Sequence, residues 1–170
     1  MIQLEPFTAA DFDRLISWID SPELLLTIAG PVFTYPLTAT QLQTYLADSK
    51  SHSFNVLDAT TKKIIGHAEI VTMGEEIFKI DKLIIGDTSI RGKGIGQAVI
   101  NQLLEYSFST LKATTVELNV FDWNIAAIKC YEKCGFKVNP DKQSTFQMGD
   151  QVWLAINMRR DRNESGSSRY

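Results

Sequence analysis

"RGKGIGQAVI", residues 91–100, places three glycines and two cations in its first six positions and then runs straight into helical spacing. An apolar run, "KLIIG" at 82–86, leads up to it. A turn without side chains lets several backbone N–H groups converge, and the N-terminus of the following helix adds roughly half a positive charge. An anion, and above all a phosphate, suits such a place, with Arg91 and Lys93 adding charge at its rim. Two other phosphate motifs do not fit. A dinucleotide fingerprint needs a third glycine three positions after the second, where this chain has Gln97 after Gly94 and Val99 after Gly96. A P-loop needs Ser or Thr after its Gly-Lys, and here Gly94 follows Lys93.

Outward from this turn, the order of elements alternates. "QAVINQLLEYSFSTL" (97–111) carries Ile100, Leu103, Leu104, Ser107 and Leu111 at helical spacing, which predicts a long amphipathic helix. "TTVELNVF" (114–121) is β-branched and reads as a strand, so strand, helix and strand favour a parallel pair joined by a right-handed crossover. "NIAAIKCYEKCGF" (124–136) is a further helix, with Asn124 as N-cap and Gly135 just past its end. Upstream, residues 53–86 read as three antiparallel strands, joined at "DATTKK" and turning at Met73 to Glu75. "TAADFDRLISWI" (8–19) forms a first helix, capped by Thr8, with Phe12, Leu15, Ile16 and Ile19 on one face. Residues 21–49 hold two shorter helices, split by Gly30, Pro31 and Pro36, and are expected to form a lip over a site. Short strands near "FKV" and "VWLAINM" complete one α/β domain over residues 1–160. The polar tail, 161–170 within "RRDRNESGSSRY", is expected to be disordered.

Composition limits the function classes. A chain of 170 residues, 44% hydrophobic, buries one core and is short for two. A net charge of -3 gives no general attraction to nucleic acid. No segment approaches the roughly 18 apolar residues of a membrane span, and the amino terminus lacks the basic and apolar regions of a secretion signal, so a cytoplasmic protein is expected. Cys130 and Cys134, four apart in one predicted helix, argue against a disulfide framework and read as reduced thiols.

The residues now carry a resemblance. "RGKGIGQAVI" resembles the Arg/Gln-x-x-Gly-x-Gly/Ala signature of the GNAT N-acetyltransferases, at the place where that family puts it, between its fourth strand and the next helix. "VELNVFDWNIAAIKCYEKCGFK" is similar to the family's fifth strand and following helix, with typical residues at Asn124, Ala127, Tyr131, Gly135 and Phe136. The motif-bearing likeness spans residues 64–138. It implies a mixed central sheet with antiparallel N-terminal strands, a parallel fourth and fifth strand splayed around acetyl-CoA, and flanking helices. It also implies acetyl-CoA as cosubstrate, an amine as acceptor, no metal, and, as in many relatives, a homodimer.

Carried over residue by residue, the resemblance gives the pyrophosphate to the loop: the N–H groups of Arg91, Lys93, Gly94, Ile95, Gly96 and Gln97, with Gly92 shaping the turn. The backbones of Ile84 and Ile85 would pair with the pantetheine arm and point an N–H at the thioester oxygen, where negative charge develops when an amine attacks. Asn124 and Ala127 would lie along the cofactor, and Tyr131 near its sulfur. The loop "GDTSI" is one residue longer than the family's usual connection, which leaves the register of Ile84 and Ile85 open by one.

An attacking amine must be neutral, so a carboxylate or a water chain has to accept a proton. Glu69 and Asp81 are the candidates. Asp81 comes first, because the period of two would put it on one strand face with Leu83 and Ile85, leading to the thioester. Tyr131 has the phenol that protonates the departing thiolate, although Ile128, Tyr131 and Cys134 also make an ordinary core stripe. The acceptor itself is open. Parts of the chain are similar to the acetyltransferases of ribosomal-protein N-termini, others to aminoglycoside 6′-N-acetyltransferases. For a polycationic acceptor, Asp20, Glu23, Glu75, Glu76 and Asp81 are available. His67, Glu69, Cys130 and Cys134 are a near miss to the zinc deaminase pattern, but the cysteine spacing differs and no proline precedes them. His67 is expected to be half-buried and His52 at the surface. A non-catalytic acyl-CoA-binding module would be indicated by loss of the acid and base, yet both are present.

Overall fold

The computed structural model describes residues 1–163. Strand β1 spans Ile2–Pro6; helices α1 (Phe12–Trp18), α2 (Pro22–Ala29) and α3 (Ala39–Leu46) follow, then strands β2 (Ser51–Asp58), β3 (Ile64–Gly74) and β4 (Ile77–Ile85). Helix α4 (Ile95–Glu105) continues as a π-helical turn, Tyr106–Thr110, before strand β5 (Thr115–Phe121), helix α5 (Ile125–Lys133) and the hairpin of β6 (Lys137–Met148) and β7 (Gln151–Asp161). Helices α2, α3 and α5 start where side chains satisfy free N–H groups: Ser21 accepts from Leu24, Thr38 from Gln41 and Asn124 from Ala127. Thr8 starts a 3-10 turn that precedes α1, in which Asp11 accepts the Thr8 N–H at 2.9 Å.

The strands form one seven-stranded sheet in the order β1-β2-β3-β4-β5-β7-β6. Only β4 and β5 run parallel, and their pairing stops after Ile77↔Thr115, Phe78↔Val116 and Lys79↔Glu117. Beyond Lys79 the two strands part, so a wedge opens in the middle of the sheet. One face is sealed by α4 and α5, where Val99, Ile100 and Leu103 are fully buried against Val56, Ile70 and Val116. The other face packs α1 to α3 through Phe12, Leu15, Leu25, Leu42 and Tyr45 against Ile84. Burial of each such side chain stabilises by about 1.5–3 kcal/mol, so the middle of the sheet is clamped from both sides.

β4 contains a bulge. Asp81 faces Glu69 and Ile84 faces His67, so Lys82 and Leu83 together oppose Ala68 alone. Lys82 takes the positive φ of 48° that lets the extra residue in. The bulge reverses the expected parity: Leu83 and Ile85 pack with the α4 and α5 core, as do Phe78 and Ile80, whereas Ile84 joins the core on the other face. Asp81 therefore does not share a face with Leu83 and Ile85. The bulge sets the register of β4 on β3, and a 3-10 turn at Thr88–Ile90 follows the strand.

Three further expectations are corrected. β1 was not among the expected strands. The C-terminal strands are a hairpin of 12 and 11 residues rather than short segments. β7 continues through Asp161, which pairs with Thr115, so the ordered domain runs past residue 160; of the expected tail, residues 164–170 lie outside the described part.

Gly86, at the exit of β4, has its face covered by the Trp18 indole: a Cβ there would lie 2.0 Å from a ring carbon. Gly86→Ala is expected to lower stability by about 1–3 kcal/mol, the usual cost of overpacking. A urea titration measures it, and a midpoint equal to wild type would show that Trp18 moves aside freely.

Candidate active site

The wedge is lined by β4 through Ile80, Asp81, Lys82 and Leu83, by β5 through Leu118 and Asn119, by Tyr131 of α5 and by Thr27 and Ile28 of α2. Tyr131 thus does two things. It packs at the edge of the core, 6.2 Å from the Phe136 ring, and it faces Asp81 across the cleft. Burial, and then the adjacent Cys130 and Cys134, push its phenol above the usual tyrosine range. A phenol so placed stays protonated at neutral pH and can give its proton to an anion in the cleft.

Asp81 lies 3.2 Å from the Lys79 ammonium and 3.6 Å from that of Lys82. It also borders a neighbouring pocket with Leu26 to Val32 of α2 and the following turn, part of the segment expected to form a lip. Glu69, the second expected base, is 2% exposed, is not in the cleft lining, and holds the Lys82 ammonium at 2.5 Å. Lys82 itself is buried at 6% exposure, with its ammonium over the rings of Tyr45 and Phe33. The ion pair fixes the bulge from below, since a buried ammonium without its carboxylate would be strongly unfavourable.

Beneath the bulge sits His67, 1% exposed, with Nε2 3.0 Å from the Tyr45 hydroxyl and Nδ1 without a partner. It is fully buried rather than half-buried, and His52 is half-buried rather than at the surface. Burial, and then the charge of Lys82, lower the His67 pKa to about 3. Between about 6.5 and that value the unfolded chain binds a proton that the folded chain refuses, so stability falls as pH falls through this window. Between pH 6 and 5 the loss is expected to be about 1 kcal/mol from this residue. Melting curves of wild type and His67→Gln would check it: the slope of stability against pH should flatten in the variant, and parallel slopes would remove His67 as the cause.

At the open end of the wedge, Gly92 and Gly94 hold φ angles of 78° and 77°, which L side chains rarely adopt. A Cβ on either would meet nothing within 4 Å, so their glycines serve the backbone shape and leave open space in front of it. Gly94 caps α4 without any side-chain acceptor. Among the described residues, nothing accepts from the N–H groups of residues 92 to 97, a row that spans Lys93, Ile95, Gly96 and Gln97. Unpaired N–H groups at a helix start, on an exposed loop, fit an oxyanion such as a pyrophosphate. Arg91 departs from its expected part. Its N–H closes the preceding turn on Thr88 at 3.4 Å, and its guanidinium turns back to the Ile85 carbonyl at 2.7 Å. It braces the loop against β4 rather than adding a donor to the row.

Because β5 departs after Lys79, the β4 edge that carries Ile84 and Ile85 has no strand partner on that side. An extended amide chain can pair with such an edge as an added strand does. Asn124 and Ala127 stand at the start of α5, where the Asn124 carboxamide accepts the Ala127 N–H at 3.3 Å. Gly96 touches α5 from the other side, with Cys130 Sγ 3.5 Å from where its Cβ would be. The two cysteines sit on the α4 and α5 face, the opposite face from His67, and among the described residues no cluster of metal-ligating side chains forms. Lys82, Asn119 and Thr27 were missed by sequence reasoning. Asn119 is placed by Asn157, which donates to its Oδ1 at 2.9 Å.

A splayed parallel pair, a bulge beside it and an uncapped glycine turn at its mouth define a recognisable frame, and the acetyltransferase (GNAT) family model matches residues 15–136. The chain belongs to the GNAT family. Among its GNAT relatives, the spermidine N(1)-acetyltransferase of Vibrio cholerae is 33% identical over 92 residues, which are 54% of this chain and 53% of that one. The chain thus matches about half the length of that enzyme. The crystal structure of Vibrio cholerae spermidine N-acetyltransferase with CoA and spermine shares the fold with a TM-score of 0.78 at 22% identity, covering 94% of this chain and 95% of that chain. The aminoglycoside acetyltransferase AAC(6')-Ib with coenzyme A and kanamycin gives a TM-score of 0.72 at 22% identity, covering 95% of each. The GNAT frame accounts for the mixed sheet expected from sequence. No helix among the described residues is long and apolar enough to cross a membrane.

Proposed function

We propose that this GNAT chain moves the acetyl group of acetyl-CoA to a primary amine on a small molecule, by direct attack in a ternary complex. The reading rests on one observation above others: Tyr131 and Asp81 line the same cleft between the parted strands. The loop from Gly92 to Gln97 would take the pyrophosphate and the free edge of β4 the pantetheine. That leaves the thioester between β4 and Tyr131. The amine nitrogen attacks the thioester carbon, the C–S bond breaks, and Tyr131 gives its proton to the leaving thiolate. The proton lost by the amine passes to Asp81, directly or through water. Asn119 and Thr27, across from Asp81, would position the acceptor. The relatives named for spermidine and for aminoglycosides support a small amine over a protein N-terminus as acceptor. Of the carboxylates available for a polycationic acceptor, Asp81 lines the cleft, Glu23 lines a groove that shares Thr27 with it, and Glu75 and Glu76 sit in the turn before β4. We place the enzyme in the cytoplasm, acting on acetyl-CoA as cosubstrate with no metal, and as a homodimer like many of its relatives.

A thiol-release assay over a panel of primary amines tests the proposal. Acetyl-CoA should release CoA only when an amine is present, and Asp81→Asn should lower kcat/KM by about tenfold or more. Absence of release with every amine would overturn the transferase reading, and an unaltered pH profile in Asp81→Asn would move the base to a water chain.

A further inference from the structure

Next to the cleft lies an open groove lined by Glu23, Leu24, Thr27, Trp123, Gln151 and Trp153. Thr27 borders both the groove and the cleft, so a bound molecule can pass from one to the other. The indoles of Trp123 and Trp153 meet at 70° with centroids 5.2 Å apart and form a corner. Phe121 backs that corner, stacked on Trp123 at 5.9 Å and edge-on to Trp153 at 5.1 Å. The Trp153 indole N–H donates to the Gln151 side-chain Oε1 at 3.3 Å, which orients the ring. Trp123 nevertheless remains 48% exposed, a large apolar area for a loop residue with nothing covering it. The single charged side chain in the lining is a carboxylate, Glu23, and no lysine or arginine belongs to it. Asp122 and Asp150, the chain neighbours of Trp123 and Gln151, are exposed and add the same sign.

Perpendicular aromatic faces together with a carboxylate are the chemistry that recognises an organic cation, through the ring quadrupoles and a counter-charge. A neutral group could pack on the rings but would leave Glu23 without a counter-ion, and an anion would be repelled by it. Glu23 lies four residues before Thr27 on α2, one helical turn or about 6 Å further from the reacting end. We infer that this corner is a second subsite for the acceptor, which holds a cationic nitrogen distinct from the one that is acetylated. The acceptor is then a diamine or larger polycation, its near amine at Asp81 and its far ammonium between Trp123, Trp153 and Glu23. The inference rests on the acetyl-transfer reading and gives it a substrate class.

Tryptophan fluorescence titrations with hexane-1,6-diamine and with hexylamine, in the presence of saturating CoA, test it. The diamine should bind about tenfold more tightly than the monoamine in wild type, the size of a cation–π contact joined to a charge pair. In Glu23→Gln and in Trp123→Ala that preference should fall to about twofold or less, while Trp123→Tyr keeps most of it. Both positions are exposed, so the fold is kept, and unchanged acetyl-CoA affinity of each variant verifies this. Equal binding of the two amines by wild type, or a preference that survives in both variants, overturns the subsite. Failure of CoA itself to bind would refute the transferase reading instead, and the diamine preference is then read without CoA.

Discussion

Gly94→Val is expected to weaken acetyl-CoA binding at least about 100-fold, close to 3 kcal/mol, in calorimetric titration. The effect has two sources. Gly94 sits at a φ of 77°, where a β-branched residue is strained, so the turn relaxes and the row of N–H groups from residue 92 to 97 loses its common direction. Each N–H to a phosphate oxygen is a charge-assisted hydrogen bond worth about 1.5–3 kcal/mol, and losing alignment of two of them suffices. The core is not involved, because a Cβ at Gly94 meets no protein atom within 4 Å. Stability should therefore fall by no more than the local strain, about 1–3 kcal/mol, leaving a folded protein. Unchanged affinity would separate the loop from the cofactor.

Tyr131→Phe is expected to lower kcat by about 100-fold or more while acetyl-CoA affinity stays within about threefold, the pattern of a lost general acid. The ring packs on Phe136 at 6.2 Å and phenylalanine preserves that contact, so only the hydroxyl is removed. Since burial raises the phenol above its ordinary range, the acid remains protonated until well into alkaline pH. The wild-type rate should accordingly rise with pH as the acceptor amine loses its proton, with no fall below about pH 10. Full activity of the variant would return Tyr131 to the core alone.

The positions of Gly94 and Tyr131 were legible in the sequence because they follow from local pattern. The glycine turn, the helix behind it and the Asn124 cap are fixed by residues close together in the chain, and α4 and α5 stand where their apolar spacing puts them. What depends on pairing between strands was not legible. The bulge at Lys82 exists because β3 and β4 differ by one residue between Glu69 and His67, and nothing in "KIDKL" signals it. Simple alternation therefore put Asp81 on the wrong face and hid Lys82 as a buried cation. β1 escaped because "IQLEP" is short, polar at Gln3 and Glu5, and mostly half-buried. β6 escaped because nearly all of its side chains are exposed at the sheet edge, so it lacks a buried alternation, while β7 supplies its hydrogen bonds. Glu69 was a candidate by type, and its ion pair with Lys82, which comes from another strand, could not be read from local pattern. The aromatic corner of Trp123 and Trp153 joins residues 30 apart, which no local pattern connects.

The central claim is that the turn from Gly92 to Gln97 holds the pyrophosphate of acetyl-CoA at the mouth of the parted strands. Calorimetric titration of the protein with acetyl-CoA, with NAD as a second pyrophosphate-bearing ligand, tests it most directly. The account predicts micromolar binding of acetyl-CoA and none of NAD, because only the former has a pantetheine arm to lie along the free edge of β4. No binding of acetyl-CoA, or equal binding of both, would contradict it.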